Sequence, residues 1–117
     1  MATYKELAEF YYAIADPKRT KILNLLRVRS LCVCEITELV GLATSTVSEH
    51  LKILKKADLI LQEKDGKWVN YTLNLKSRKN HVAALLANFD TVLKSDEFVS
   101  HDAQLVQRVD RYKLCSI

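Results

Sequence analysis

One stretch sets the architecture of this chain: Thr44-Ser45-Thr46-Val47-Ser48-Glu49-His50-Leu51. Its apolar residues, Val47 and Leu51, are four positions apart and therefore fall on one face of an α-helix. Its other side chains are mostly hydroxyls and charged groups, so the opposite face is polar. Shortly before this stretch, Gly41 suits the left-handed turn that follows a helix. The pattern predicts two short helices joined by a turn that contains Gly41.

The earlier of these two predicted helices carries a pair of cysteines, in Cys32-Val33-Cys34-Glu35. Ser30 is a candidate N-cap, which places both thiols in the first helical turn. Residues two apart on a helix lie about 200° apart around its axis, so both sulfurs reach one centre only if that turn distorts. The partial positive charge of a helix N-terminus, with Arg27 and Arg29 nearby, predicts a lowered pKa for both thiols.

A predicted β-hairpin follows the second helix. Residues 59–63 and 67–75 are strand-like, and Asp65-Gly66 is a strong two-residue turn signal. A helix-turn-helix followed by a hairpin with basic residues near its tip is typical of a winged helix, whose second helix enters the major groove of DNA. The predicted fold is therefore mainly α with a small β-hairpin wing.

The chain is predicted to be a single DNA-binding domain over residues 1–117. Within it the helix-turn-helix spans about 31–57, the wing about 60–75 and the C-terminal helices about 77–113. The N- and C-terminal helices carry more apolar surface than the core of a small winged helix can cover. We therefore expect a homodimer that forms through those terminal helices.

Positive charge is concentrated in the same segment. The net charge is +4, and residues 44–79 hold eight basic and four acidic residues, so the whole excess lies there. A localised basic surface is typical of nucleic-acid binding, with lysines on phosphates and hydroxyl or carboxylate groups on phosphates or base edges. The predicted DNA contacts are Ser45, Thr46, Ser48, Glu49, His50, Lys52, Lys55, Lys64 and Lys67.

The remaining composition favours a reducing, cytoplasmic location. The N-terminus lacks the basic-then-apolar design of a secretory signal, and no apolar run approaches the roughly 20 residues of a membrane span. In that compartment the three cysteines are expected to be thiols. An enzyme is not expected, because Cys32 has no recognisable base beside it and no phosphate-binding loop is present.

Four motifs together resemble the ArsR/SmtB family of metal-responsive repressors, and they span roughly residues 5 to 75 in the family's order. The Cys-Val-Cys element is similar to that of the family's arsenic-responsive branch. The resemblance implies a homodimeric winged helix that binds a palindromic operator and releases it when As(III) or Sb(III) binds. The motifs are Ala15-Asp16-Pro17-Lys18-Arg19, Leu31-Cys32-Val33-Cys34-Glu35-Ile36, Ser45-Thr46-Val47-Ser48-Glu49-His50-Leu51-Lys52-Ile53-Leu54 and Gly66-Lys67-Trp68-Val69-Asn70-Tyr71.

The chain departs from this branch at its third sulfur. The branch commonly reads Cys-Val-Cys-Asp-Leu-Cys, whereas this chain has Thr37 at the last position, and a hydroxyl is a hard, weak ligand for a soft centre. Cys115 is the only remaining cysteine. The predicted site for the trivalent metalloid is therefore Cys32, Cys34 and Cys115.

Two further departures concern other family positions. The second sensing site of the family, on the long C-terminal helix, lacks its ligands here, since Lys79 and Val92 stand where an Asp and a His are expected. A zinc-type site on that helix is not predicted. Asp58 replaces the glycine usual after the recognition helix, and Asp tolerates the left-handed conformation, so no change of fold is expected.

Two rival hypotheses use the same residues differently. In a thiol redox sensor, Cys115 forms a disulfide with Cys32 or Cys34 and oxidation releases DNA. In a protein of another class, the thiols buffer metal and nothing binds DNA. That module would need neither the localised positive charge nor the wing, and absent or salt-insensitive DNA binding would identify it.

Overall fold

A computed structural model of the chain describes residues 2–93 and 97–111. Within these ranges no helix is both long and apolar enough to cross a membrane. The elements in chain order are α1 (Tyr4–Ile14), α2 (Pro17–Val28), β1 (Leu31–Cys32), α3 (Val33–Val40), α4 (Thr44–Lys56), β2 (Ile60–Asp65), β3 (Trp68–Leu73), α5 (Asn80–Leu93) and α6 (Glu97–Arg108).

The first two helices begin where their capping residues predict. Thr3 Oγ1 accepts a hydrogen bond from the Glu6 N–H at 3.1 Å. Asp16 caps α2 by accepting from the Lys18 N–H at 2.8 Å, and Pro17 occupies the first turn, where no backbone donor is lost. Burial acts to raise the pKa of Asp16, but backbone hydrogen bonds from Lys18 and Arg19, together with the charge of Arg19, outweigh burial and lower that pKa.

The hydrophobic core forms between the helices and the small sheet. Val47 and Leu51 point inward from α4, with exposed fractions of 0% and 1%, as their spacing predicts. They belong to one core cluster with buried leucines and isoleucines of α2, β1 and α3, and α3 packs against α4. The prediction of a mainly helical winged helix is confirmed. Other fully buried core residues include Ile22, Leu23, Leu31, Ile36, Leu54 and Leu59.

The three strands form an antiparallel sheet in the order β1-β3-β2. Asp65 pairs with Trp68, so the hairpin turn is Gly66-Lys67 and the prediction of Asp65-Gly66 was one residue too early. Gly66 has φ +60°. Lys67 does not have a positive φ, since Asp58 is the only described residue besides the glycines that has one. A positive φ at the first of the two central turn positions, and not at the second, is typical of a type II′ turn, which favours glycine at that first position.

The start of α3 differs from the prediction. The helix begins at Val33, and Ser30 does not cap it, because its Oγ donates to the Tyr71 carbonyl of β3 at 3.1 Å. Leu31 and Cys32 instead pair with β3 as the short strand β1. The predicted end is confirmed, since Gly41 has φ +74° and donates its N–H to the Thr37 carbonyl at 3.0 Å.

Asp58 adopts the left-handed conformation expected at the end of α4, with φ +66°. Its carboxylate Oδ2 accepts from Ser77 Oγ at 2.6 Å, and its carbonyl accepts from Asn74 Nδ2 at 3.1 Å. These hydrogen bonds connect Asp58, just before the wing, to Asn74 and Ser77, just after it.

Candidate functional site

The polar face of α4 is exposed where DNA contacts are predicted. Ala43 occupies the N-cap position and supplies no side-chain cap. The first backbone N–H groups of α4 therefore remain available to an anion such as a phosphate. The predicted contact residues on the exposed face are Ser45, Thr46, Ser48, Glu49, Lys52 and Lys55.

His50, also predicted to contact DNA, is half-buried. Its Nδ1 lies 3.2 Å from Arg19 Nη1. A guanidinium only donates hydrogen bonds, so Nδ1 is the acceptor and this contact requires an unprotonated Nδ1. Only Nε2 is then left for a contact with DNA, and the ring also supports α4 against α2.

Arg19 is a supporting residue that the sequence did not single out, although it lies in one of the four family-like motifs. It is 6% exposed, and its guanidinium donates to the Ala13 and Tyr12 carbonyls at 2.9 Å each. It also stacks over the Tyr12 ring at 4.8 Å. Arg19 thereby joins the end of α1 to α2 and, through His50, to the recognition helix.

The wing carries the two lysines predicted to meet phosphates. Lys64 lies near the end of β2 and Lys67 in the turn, and both are exposed. Lys55 extends from α4 toward the same strand, where its Nζ donates to Gln62 Oε1 at 3.1 Å. The basic residues of α4 and of the wing therefore belong to neighbouring elements.

Cys32 is a free, buried thiol, 3% exposed, at the junction of β1 and α3. It is the N-cap of α3, with extended backbone angles of φ −88° and ψ 169°. Glu35 closes a capping box by accepting from the Cys32 N–H at 3.0 Å. The predicted arrangement of two sulfurs about 200° apart on one helix is therefore wrong, because Cys32 precedes the helix.

The predicted lowering of the Cys32 pKa is also wrong. Burial is the largest influence and raises the pKa of the thiol, and the nearby Glu35 carboxylate raises it further. Backbone hydrogen bonds from Glu35 and Cys34 act in the other direction but are outweighed. Arg29, expected to favour the thiolate, instead pairs with Glu35, its Nη2 lying 3.0 Å from Oε2. The surroundings of Cys32 therefore favour the thiol over the thiolate.

Cys34 occupies a different environment. It is exposed in the first turn of α3 and is disulfide-bonded. Cys115, the predicted third ligand, lies outside the described residues. Among the described residues no group of three or more His, Cys, Asp or Glu side chains is arranged to hold a metal ion. The described part of the predicted site thus consists of one buried and one exposed sulfur on either side of Val33.

Thr37, at the position of the family's third sulfur, is one turn after Cys34 on α3. Its Oγ1 is buried and has no hydrogen-bond partner within the described part of the chain. A buried hydroxyl without a partner is unfavourable. Replacing Thr37 by a side chain of similar size would therefore lose no hydrogen bond among the described residues.

An exposed helix preceded by a supporting helix and followed by a basic hairpin defines a winged helix-turn-helix DNA-binding domain. The family model for bacterial regulatory proteins of the arsR family matches residues 16–61. The chain belongs to the ArsR family, as the four motifs predict.

Known proteins similar to this chain are transcriptional regulators. An uncharacterised HTH-type transcriptional regulator of Methanocaldococcus jannaschii is 42% identical over 72 residues, covering 61% of this chain and 81% of that protein. The arsenical resistance operon repressor of Staphylococcus xylosus is 36% identical over 72 residues, covering 62% and 69%. A homodimeric winged helix-turn-helix domain from Mycobacterium bovis, a possible ArsR-family regulator, superposes with a TM-score of 0.64 at 28% identity, covering 83% and 84%.

Proposed function

We propose that this protein is a homodimeric repressor that binds operator DNA in the cytoplasm and releases it when As(III) or Sb(III) binds Cys32, Cys34 and Cys115. The observation that carries the proposal is the position of Cys32, a buried free thiol at the N-cap of the helix that packs against the recognition helix. A ligand that pulls on this sulfur must move the start of α3. The arsenical repressor among the similar proteins supports the same class of inducer.

A free thiol at Cys32 suits this chemistry. Arsenous acid, As(OH)₃, condenses with thiols: each S–H loses its proton, each As–OH leaves with that proton as water, and an As–S bond forms. Three thiols therefore give As(SR)₃ and three waters, with no change in oxidation state. Soft sulfur ligands select such thiophilic centres over oxygen-binding ions. Cys34 must be a thiol for this reaction, so the metalloid response requires reducing conditions.

Operator DNA is released if the packing of α3 against α4 differs between the inducer-bound and the inducer-free protein. Recognition helices of a dimer must meet half-sites about 34 to 36 Å apart, so a small change in their support weakens binding. A ligand that binds the weaker DNA-binding state more tightly shifts the protein toward it.

The central test is an operator gel shift with the DNA upstream of the chain's own gene, titrated with arsenite in the presence of a reductant. Release at arsenite concentrations that leave an unrelated winged-helix complex intact supports the proposal. Undiminished binding at saturating arsenite contradicts it. Antimonite and cadmium, tested in parallel, establish which thiophile is preferred.

DNA binding is proposed to use Lys67 at the wing turn as a phosphate contact. Lys67→Ala is expected to weaken operator binding and to reduce the slope of log K against log salt by about one unit for each protomer. Fluorescence anisotropy at several salt concentrations measures both. Arg108→Ala, an exposed arginine on α6 outside the predicted contact surface, is the matched control. An unchanged slope for Lys67→Ala would remove this residue from the DNA interface.

Dimerisation is proposed to bury the exposed aromatic face of α1. Tyr4 and Tyr11, seven residues apart on one side of the helix, are 94% and 61% exposed. On α5, Ala83, Ala84 and Ala87 are exposed as well, and small side chains allow close approach of another helix. Large exposed aromatic groups are typical of interfaces.

Tyr11→Ala is accordingly expected to weaken the dimer about tenfold or more, because a tyrosine buried in an interface often contributes about 1 kcal/mol and the substitution removes it from both protomers. Sedimentation velocity across a range of protein concentrations measures the dissociation constant. Lys5→Ala, an exposed residue of the same helix, is the control. Equal dissociation constants for Tyr11→Ala and the unaltered protein would place the interface elsewhere.

A second candidate function, a thiol redox sensor, is favoured by the disulfide at Cys34. In this alternative a peroxide oxidises two thiols, proposed to be Cys34 and Cys115, to one disulfide, and is itself reduced to two waters. Release by peroxide, reversed by reductant and absent with arsenite under reductant, would favour this function. Release by arsenite alone would favour the metalloid response.

A further inference from the structure

A ring of contacts connects Cys32 to the wing without passing through the recognition helix. Across the sheet, Cys32 of β1 pairs with Asn70 of β3, the strand that forms one side of the wing. The Asn70 side chain in turn accepts a hydrogen bond from Arg111 Nη1 at 2.8 Å. The backbone of Cys32 and the side chain of Arg111, which follows α6, therefore both contact Asn70 of the wing.

Arg111 also holds the wing near its tip. Its guanidinium lies over the Trp68 ring at 4.5 Å, and its Nη2 is 4.0 Å from Asp65 Oδ2. Asp65 and Trp68 are the two residues that flank the Gly66-Lys67 turn. Arg111 thus contacts both strands directly beside the proposed DNA-contacting lysine.

Arg29 closes the ring on the thiol side. Its Nη2 pairs with Glu35, whose other carboxylate oxygen accepts from the Cys32 N–H. The same nitrogen donates to the carbonyls of Val106 and Val109 at 3.1 and 3.2 Å, at the end of α6 and shortly before Arg111. A cleft of about 430 Å³, also lined by Glu35 and Asn70, lies between the two arginines.

We propose that Arg111 is a positioning residue that couples the thiol site to the wing, so that the inducer releases DNA in part by moving the wing and its Lys67. A shift of Cys32 changes its pairing with Asn70 on one side and the Glu35 and Arg29 contacts on the other. Both changes reach Arg111, which sets where the wing tip lies. This inference rests on the proposed thiol-dependent release and adds the route by which it reaches DNA.

Trp68 makes the coupling measurable, because it is the only tryptophan of the chain and is 8% exposed beneath Arg111. The experiment follows Trp68 emission and operator affinity of the full-length protein during an arsenite titration under reductant. The variants are Arg111→Ala, Arg111→Lys, which keeps the charge but loses the planar stacking, and the control Arg108→Ala.

We expect arsenite to change Trp68 emission in the unaltered protein over the concentrations that release DNA. In Arg111→Ala the factor by which arsenite weakens operator binding should fall at least fivefold, with Arg111→Lys intermediate and Arg108→Ala unchanged. The number of thiols that arsenite protects from alkylation should be the same in all four proteins. That readout separates lost coupling from lost inducer binding.

Three outcomes overturn the inference or its basis. If arsenite releases DNA from the unaltered protein while Trp68 emission stays constant, the wing does not take part. If Arg111→Ala keeps the full effect of arsenite on operator affinity, Arg111 is not the coupling residue. If emission changes but no DNA is released, the coupling stands and the proposed arsenite response is wrong.

Discussion

Replacing either Cys32 or Cys34 by serine is expected to abolish arsenite-induced release of operator DNA and to leave operator affinity unchanged. Serine is among the preferred N-cap residues, so Cys32→Ser retains the capping box with Glu35 and the start of α3. Cys34 is exposed, so its sulfur contributes little to the core. Cys34→Ser also removes the disulfide at Cys34, so both variants are compared with the unaltered protein under reductant, where that disulfide is open. Under those conditions each substitution removes a ligand and keeps the helix start.

The size of the effect follows from the coupling between inducer and DNA. Effectors of this kind typically change affinity by about 5- to 150-fold, and in either serine variant that factor should fall to about one. Operator titrations with and without arsenite, under reductant, measure it directly. Cys115→Ser distinguishes the third ligand, since an unchanged arsenite affinity would exclude it. Normal release by Cys32→Ser or Cys34→Ser would place the inducer site elsewhere.

Several features that local sequence determines were predicted correctly. The inward face of α4 follows from the spacing of Val47 and Leu51, and the turn before it from Gly41. Asp58 takes the left-handed conformation that its side chain tolerates. In each case the deciding interaction lies within a few residues of the position concerned, so the sequence pattern was sufficient.

The environment of Cys32 could not be predicted in the same way. Its backbone conformation is set by pairing with Asn70, which is distant in sequence, so the strand β1 displaced the expected first turn of a helix. Burial by the surrounding core then reversed the expected direction of its pKa. One local signal was available: Glu35 stands three residues after Cys32, the spacing of a capping box. That signal would have placed the helix start at Val33.

The three arginines that organise the site were harder to foresee. Arg19, Arg29 and Arg111 each act through partners on other elements, which include backbone carbonyls of α1 and α6 and a side chain of β3. Every residue has a backbone carbonyl, so the sequence does not indicate which carbonyl accepts a hydrogen bond from a given arginine. For this reason the sequence indicated which side chains of α4 are exposed, but not the contacts that position the helix.

An additional sulfur on α3, at position 37, is expected to make the protein much more sensitive to arsenite. Thr37 follows Cys34 by three residues, so the two side chains are neighbours on one face of α3. Thr37→Cys conserves size closely and sacrifices no hydrogen bond, since the Thr37 hydroxyl has no partner among the described residues. The variant therefore gains a soft ligand at little structural cost.

The gain should be about 100-fold or more in the arsenite concentration needed for half-release, because an additional ligand held near the site binds at a high effective concentration. Thr37→Val is the matched control: it also removes the hydroxyl but adds no sulfur, and it should respond as the unaltered protein does. Combining Thr37→Cys with Cys115→Ser shows whether the new sulfur replaces the distant one. If Thr37→Cys and Thr37→Val respond to the same arsenite concentrations, the metalloid does not bind beside α3. Increased sensitivity that persists without Cys115 would instead show that three sulfurs on β1 and α3 suffice to bind arsenic, and that this chain lacks only the last of them.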